Sequence, residues 1–418
     1  MAVLVTPSAD ASQSPLSGLS ALPEIRRAPA AFKAALRIAA QNWLWGSLTF
    51  VLPSGRELTV QGAEPGPQAR LEVRDFRFMR RLMAAGAVGF AEGYIAGEWE
   101  TPNLSAVLES AGLNFDRLQR LVDGNPLVRA MNLCRHWLKP NSRAGAKRNI
   151  HAHYDLGNAF YERWLDAGMT YSSARYAHPG QPLDQAQRHK YETLARTMAL
   201  EPSHHVLEIG CGWGGFAEFA ARDVGARVTG ITISREQYDF ARKRLFDQGL
   251  ADKADIRMVD YRDVDGAFDR VASIEMFEAV GERYWPTYFR KVRDVLRPGG
   301  RAGLQIITIR DELFDDYRSK ADFIQKYVFP GGMLGSEQRL RQETERAGLE
   351  WRDVSRFGQD YADTLQEWAE RFETAWDAIC GLGFDERFRR LWRFYLRYCE
   401  AGFRSARTNV VQLGLSRG

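Results

Sequence analysis

The chain has 418 residues, 45% of them hydrophobic, and a formal net charge of +4. That length accommodates two or three domains, the apolar fraction is that of a folded soluble protein, and the charge is too small to argue for a nucleic-acid partner. No run of about 18 apolar residues occurs, so no spanning helix is predicted, and Cys134, Cys211, Cys380 and Cys399 show no CxxC spacing, which points to a reducing compartment without a disulfide framework.

Residues 1–25 are rich in Ala, Ser and Pro and lack the basic start and apolar core of a signal peptide, so a disordered tail is expected. Residues 26–137 read as a small α+β domain. LTFVLPSGRELTV (Leu48 to Val60) predicts a hairpin around Pro53, Ser54 and Gly55. PQARLEVRD (Pro67 to Asp75) predicts a strand, and a helix follows from near Phe76. The basic run RDFRFMRRL, with Arg77, Arg80 and Arg81, is either a solvated helix face or a surface resting on anionic lipid headgroups. Residues 138–150 are polar, basic and broken by Pro and Gly, as expected of a linker.

Residues 151–418 form the second predicted domain. Strand and helix alternate from about 204 to 310, which implies a parallel sheet with helices on both faces. The part from 320 to 410 reads as mostly helical and aromatic. In EIGCGWGG (Glu208 to Gly215), Gly210 and Gly212 let the chain turn sharply between a strand and a helix and let a ligand approach the backbone. A dinucleotide would call for an acid about twenty residues on. The next strand ends instead in Thr229-Gly230-Ile231-Thr232. Further on, SIEMFEAVGERYW carries Glu275 and Glu278 in an apolar setting, where an unpartnered carboxylate is costly. His151/His153 and His204/His205 are the close histidine pairs, and neither has a suitably spaced third ligand, so no metal is expected. Nothing near Cys211 supplies a base, so a packing role is expected for it.

HAHYDLGNAFYERWLDAGMTYSSARY, VLEIGCGWGGFAEFAA, VTGITISREQ, MFEAVG and YVFPGGMLGS occur in that order. Together they resemble the cyclopropane-fatty-acyl-phospholipid synthase family, which includes the mycolic acid cyclopropane synthases and fatty-acyl methyltransferases. The resemblance runs from about His151 to the C-terminus and is weaker before it. It implies an α/β, Rossmann-like class I methyltransferase domain with a helical, aromatic lipid-binding part, preceded by a small α+β lipid-binding-like domain. It also implies S-adenosylmethionine as cofactor and a membrane phospholipid with a cis-unsaturated acyl chain as substrate. Peripheral association with the inner face of the cytoplasmic membrane and a homodimer are expected on the same ground.

The resemblance implies that the alkene attacks the sulfonium methyl, that a carbocation forms, and that a base removes a proton from the new methyl as the ring closes. In characterised relatives a bound bicarbonate is that base. Glu278 and Tyr361 match residues that hold it. Ser173, Gln305 and Ala279 replace a cysteine and two histidines of the family pattern, so the anion site is altered. The serine hydroxyl and glutamine amide retain hydrogen-bonding capacity. EMFEAVG and the segment carrying Gln305 look more like the plant-type branch. Glu275 stands where bicarbonate-using bacterial relatives commonly have glycine, and is either the base itself, making bicarbonate unnecessary, or a supporting or surface acid. By motif, Tyr171 and Ser172 flank the methionine part, Gly210 and Gly212 form the turn, Thr232 and Gln237 take the ribose side, and Asp260, Tyr261 and Arg262 the adenine side. Three functions remain open at this stage: a cyclopropane synthase, a methyltransferase giving a methyl-branched or methylene-bearing chain, and an inactive lipid-binding homologue.

Overall fold

The computed structural model describes residues 3–5, 23–118 and 156–418. The expected linker, the His151/His153 pair and most of the expected tail lie outside the described residues. Val3–Val5, inside the expected tail, forms a strand (β1).

Described residues fall into two compact units. One draws on Met1–Arg135, Lys320–Phe323 and Phe384–Ser405, the other on His136–Ser319, Ile324–Gly383 and Ala406–Gly418. The first unit has a five-stranded sheet of β1, β2 (Trp45–Val51), β3 (Glu57–Gln61), β4 (Glu64–Val73) and β5 (Trp99–Glu100), in the order β1-β3-β2-β4-β5. The β2–β3 hairpin is antiparallel, and Gly55 turns it at φ +80°. Phe32 and Leu36 of the helix Ala30–Asn42 are buried. In the helix Arg77–Ile95, Arg77 pairs with Asp75, and Arg81 pairs with the buried Glu98. The helix Glu386–Arg404 completes this unit: Arg390 reaches Glu100 at 2.5 Å and the Tyr94 carbonyl at 2.7 Å.

The second unit is built on β6 (His205–Ile209), β7 (Arg227–Thr232), β8 (Ala254–Met258), β9 (Phe268–Ile274), β10 (Leu296–Ile309), β11 (Gly335–Ser336), β12 (Leu349–Arg356) and β13 (Thr408–Arg417). Seven of them run β12-β13-β10-β9-β6-β7-β8, and β11 adds to β10. The pairs from β10 through β9, β6 and β7 to β8 are parallel. β13 inserts antiparallel between β10 and β12. The chain moves outward from β6 to β7 and β8, then returns to place β9 on the other side of β6. That reversal opens a crevice beyond the carboxyl ends of β6 and β9, where open α/β sheets bind ligands. Val271, Leu304, Val411 and Leu413 are fully buried in the sheet, with Trp285 and Phe289 of the helix Trp285–Val295 in the same core.

Candidate active site

The glycine turn leaves β6 at the switch point. Gly210, Gly212 and Gly214 all take positive φ, at +80°, +51° and +84°. The backbone N–H groups of Gly210 and Cys211 donate to the Ile231 carbonyl at 3.0 and 2.9 Å, pinning the turn to β7. A Cβ at Gly210 would lie 2.7 Å from Cγ of Met276, so the loop after β9 closes against it. Gly212 has open space beside it. Beneath the turn, Glu208 is 2% exposed, and its Oε2 has no hydrogen-bond partner among the described residues. Burial pushes its carboxyl well above the ordinary range, while the charge of Lys190 pulls it back. Cys211 is buried, and burial raises its thiol pKa, so it is a poor nucleophile.

At the end of β7, the Thr232 hydroxyl donates to Oε1 of Gln237 at 2.8 Å, and both are buried. Ser234 caps the helix Arg235–Asp247 and aims Gln237 back at the strand end. Beyond β8, Arg262 grips Asp260 with Nε at 2.8 Å and Nη2 at 2.5 Å. The guanidinium lies over the Tyr261 ring, 5.3 Å from its centroid. Thus Asp260, Tyr261 and Arg262 form one cluster on the β8 side, apart from Glu275 and Glu278 on the loop after β9.

Glu275 lies directly after β9 and is partly buried, with its carboxylate turned to three donors rather than left to solvent. Its Oε1 accepts from the Ser173 backbone N–H at 2.8 Å and from Gln305 Nε2 at 2.8 Å. Its Oε2 accepts from the Tyr361 hydroxyl at 2.7 Å. The Ser173 hydroxyl donates instead to the Ala174 carbonyl, so Ser173 serves through its main chain. Burial raises the Glu275 pKa, and the bonds from Gln305 and Tyr361, the Lys190 charge and the Ser173 N–H oppose that rise. Its φ is +50°, a region uncommon outside glycine. The same backbone turn explains why glycine suits this position. A glutamate accepts about 1–2 kcal/mol of local strain there and places a carboxylate among the donors.

Glu278 sits one short turn later. Its Oε1 accepts the Ile307 backbone N–H at 2.5 Å, and its Oε2 has no partner among the described residues. Burial, reinforced by the neighbouring Glu275 charge, raises its pKa to about 8. Both carboxyls are thus pushed upward by burial, but Glu275 has donors on both oxygens that oppose the rise, whereas Glu278 has a donor on one.

Aromatic rings gather beside this group. Tyr171 lies 5.4 Å from Tyr161, 5.5 Å from Trp164 and 5.4 Å from Trp368, and Trp368 lies 6.1 Å from Tyr361. Trp213 of the glycine turn lies 5.1 Å from Tyr161. Such faces exclude water and favour positive charge.

The structure adds three residues that sequence reasoning missed. Lys190 is 0% exposed, and its Nζ donates to the Ser172 hydroxyl at 2.7 Å. Gln187, one turn earlier on the helix Leu183–Thr197, donates to the Ser172 carbonyl at 3.0 Å. Gln412 of β13 donates to Gln305 Oε1 at 3.2 Å and so helps to orient that amide toward Glu275. The available signal was Gln187-x-x-Lys190, two polar residues on one helix face, which reads as surface in isolation. Among the described residues no group of three or more His, Cys, Asp or Glu is arranged to hold a metal.

The family model described as mycolic acid cyclopropane synthetase matches residues 141–413. The chain belongs to the mycolic acid cyclopropane synthetase family. It is 39% identical over 374 residues to the tuberculostearic acid methyltransferase UfaA1 of Mycobacterium tuberculosis, covering 85% of this chain and 84% of that protein. It is 34% identical over 384 residues to the cyclopropane-fatty-acyl-phospholipid synthase of Escherichia coli K12, covering 90% of this chain and 94% of that one. The crystal structure of the mycolic acid cyclopropane synthase CmaA1 complexed with SAH and CTAB superposes with a TM-score of 0.61 at 25% identity, over 65% of this chain and 98% of that one. As a member of the mycolic acid cyclopropane synthetase family, this chain is an S-adenosylmethionine-dependent enzyme of the class I methyltransferase fold, acting on lipid by cyclopropanation or methylation. Its own residues fit that cofactor. The orphaned Glu208 oxygen beneath the turn suits a cationic amino group, and the space at Gly212 admits a ligand against the backbone.

Proposed function

We propose that this enzyme converts the cis double bond of an unsaturated phospholipid acyl chain into a cyclopropane, with Glu275 as the base. The observation that carries this reading is the Glu275 carboxylate held on both oxygens by the Ser173 N–H, Gln305 and Tyr361. When bound, S-adenosylmethionine supplies an electrophilic methyl group. Gly210, Gly212 and Glu208 cradle its amino-acid end, with Tyr171 and Ser172 beside it. Thr232 and Gln237 take the ribose side, and Asp260, Tyr261 and Arg262 the adenine side.

Methyl addition leaves positive charge on one former alkene carbon of the lipid. The surrounding aromatic rings stabilise such charge by about 0.5–2 kcal/mol each and keep out water that would quench it. Glu275 then accepts a proton from the new methyl group. The electrons of that C–H bond close the three-membered ring, and the chain gains one CH₂. Glu278 retains its own proton at neutral pH, so it adds no second negative charge beside the base. The three donors that would hold a bicarbonate ion instead hold an internal carboxylate, and bicarbonate has no role in this reading.

A second reading keeps the base and changes the fate of the cation. A shift, or proton loss at a neighbouring carbon, gives a methylene-bearing or methyl-branched chain. The 39% identity to a protein named as a tuberculostearic acid methyltransferase favours it. In either case the acyl chain comes from a bilayer, which places the enzyme peripherally on the inner face of the cytoplasmic membrane. Among the described residues no helix is long and apolar enough to cross a membrane.

The test is expression in a host lacking its own cyclopropane synthase and rich in cis-monounsaturated phospholipid, followed by gas chromatography with mass spectrometry of total fatty acids. A chain one CH₂ heavier that NMR identifies as a ring is expected. A methylene or methyl-branched product selects the second reading. Absence of any heavier chain, with S-adenosylmethionine bound in calorimetry, contradicts both.

A further inference from the structure

Lys190 lies on no surface and in no motif assigned above, yet it stands behind the base. Its ammonium is fully buried, donates to the Ser172 hydroxyl at 2.7 Å, and rests over the Tyr191 ring at 4.7 Å. The next residue, Ser173, gives its backbone N–H to Glu275. A second connection leaves the Lys190 carbonyl, which accepts Gln412 Nε2 at 3.1 Å. That amide also donates to Gln305 Oε1, and Gln305 Nε2 donates to Glu275 at 2.8 Å. Two connections therefore start at one lysine, one through the Ser172–Ser173 backbone and one through Gln412 and Gln305, and both end on the same oxygen of the base.

The charges facing these groups come from several elements. Lys190 is influenced by Glu275 after β9, Asp166 in the loop before the helix Leu183–Thr197 and Glu208 at the end of β6. Asp166 and Glu208 also feel Arg244 of the helix Arg235–Asp247, which donates to the Gly168 carbonyl. Glu275 feels Lys190 and the Tyr361 hydroxyl, and Glu278 feels Glu275. Lys190 is thus a cation that acts on Glu275. A buried ammonium without a counter-charge would be expelled or neutralised.

We infer that Lys190 is a positioning residue for the reaction: its buried ammonium provides the counter-charge that keeps Glu275 ionised, and together with Gln187 it fixes the Ser172–Ser173 loop that hydrogen-bonds the base. This rests on Glu275 being the base. Burial lowers the Lys190 pKa to about 7 against the upward pull of Glu275, Asp166 and Glu208, so the ammonium charge is present on the acid side and is lost as pH rises past about 7.

The experiment is the pH dependence of kcat/KM on unsaturated phospholipid vesicles for the wild type, Lys190→Met, Lys190→Gln and Glu275→Gln. S-adenosylmethionine titration by calorimetry establishes that each variant is folded. The acid limb reports ionisation of the base in the free enzyme. Losing a nearby positive charge raises a carboxyl pKa, so the limb moves to higher pH by about one unit or more. Activity on that limb falls about tenfold or more at fixed pH. Lys190→Gln, with an amide able to donate to the Ser172 hydroxyl, separates charge from loop support. Its limb moves as far as that of Lys190→Met if charge is the cause. A limb that stays at the wild-type position in either folded variant, while Glu275→Gln abolishes turnover, overturns the inference and leaves the base intact. Full turnover in Glu275→Gln overturns the base itself.

Discussion

Glu278→Gln is expected to flatten the pH dependence of stability. In the unfolded chain Glu278 ionises near its ordinary value of 4.5, whereas in the fold it keeps its proton until about 8. Between those values the folded protein binds one proton more than the unfolded one, so this group's contribution to stability falls as pH rises. The contribution is fully present below 4.5 and flat above about 8. Each pH unit in the window is worth about 1.4 kcal/mol, which gives about 4–5 kcal/mol across it. Glutamine is nearly isosteric and has no proton to lose. The stability of Glu278→Gln minus that of the wild type should therefore grow by about 4 kcal/mol from about pH 5 to about pH 8. Urea denaturation followed by tryptophan fluorescence at intervals of pH measures it. Parallel curves for the two proteins would refute the reasoning, because they would mean that Glu278 ionises alike in fold and coil.

Gly210→Ala should lower the melting temperature by more than Gly212→Ala. Both adopt positive φ, but a Cβ at Gly210 meets Met276 at 2.7 Å while one at Gly212 meets nothing within 4 Å; equal losses would contradict the close approach of the two loops. Tyr361→Phe removes the donor on Glu275 Oε2. A hydrogen bond to a charged group is worth about 1.5–3 kcal/mol, so kcat/KM on the acid limb should fall about 10–100-fold with unchanged S-adenosylmethionine affinity in calorimetry; an unshifted pH profile would show that the phenol does not act on the base.

Much of the parallel sheet was legible because its strands are short apolar or alternating runs separated by helical stretches, and Gly210 and Gly212 sit where a strand meets a helix. β12 was not legible. Its polar residues alternate irregularly at a half-exposed sheet edge, and its register shifts between Trp351 and Asp353. β13 begins where the expected helical stretch from 320 to 410 ends and was not predicted, because the strand it pairs with, β10, lies about a hundred residues earlier. The site was half legible. Motif order picked out Glu275, Gln305, Tyr361 and Ser173, yet the side of Ser173 that matters is its backbone N–H, which no residue type encodes. Whether Glu275 faced water or donors depended on a positive φ at a glutamate, which a sequence does not display. Lys190 was hidden for a physical reason: a lysine on an amphipathic helix usually points to solvent, and its burial follows from carboxylates brought by Asp166, Glu208 and Glu275, all distant in sequence.

The most direct measurement of the central claim is turnover of the purified enzyme on cis-unsaturated phospholipid vesicles in buffer freed of carbon dioxide, with and without added bicarbonate. With Glu275 as the internal base, the rate is the same in both. A rate that collapses without bicarbonate and returns when it is added would contradict the account, because the proton would then be leaving to an anion that the three donors on Glu275 are not free to hold.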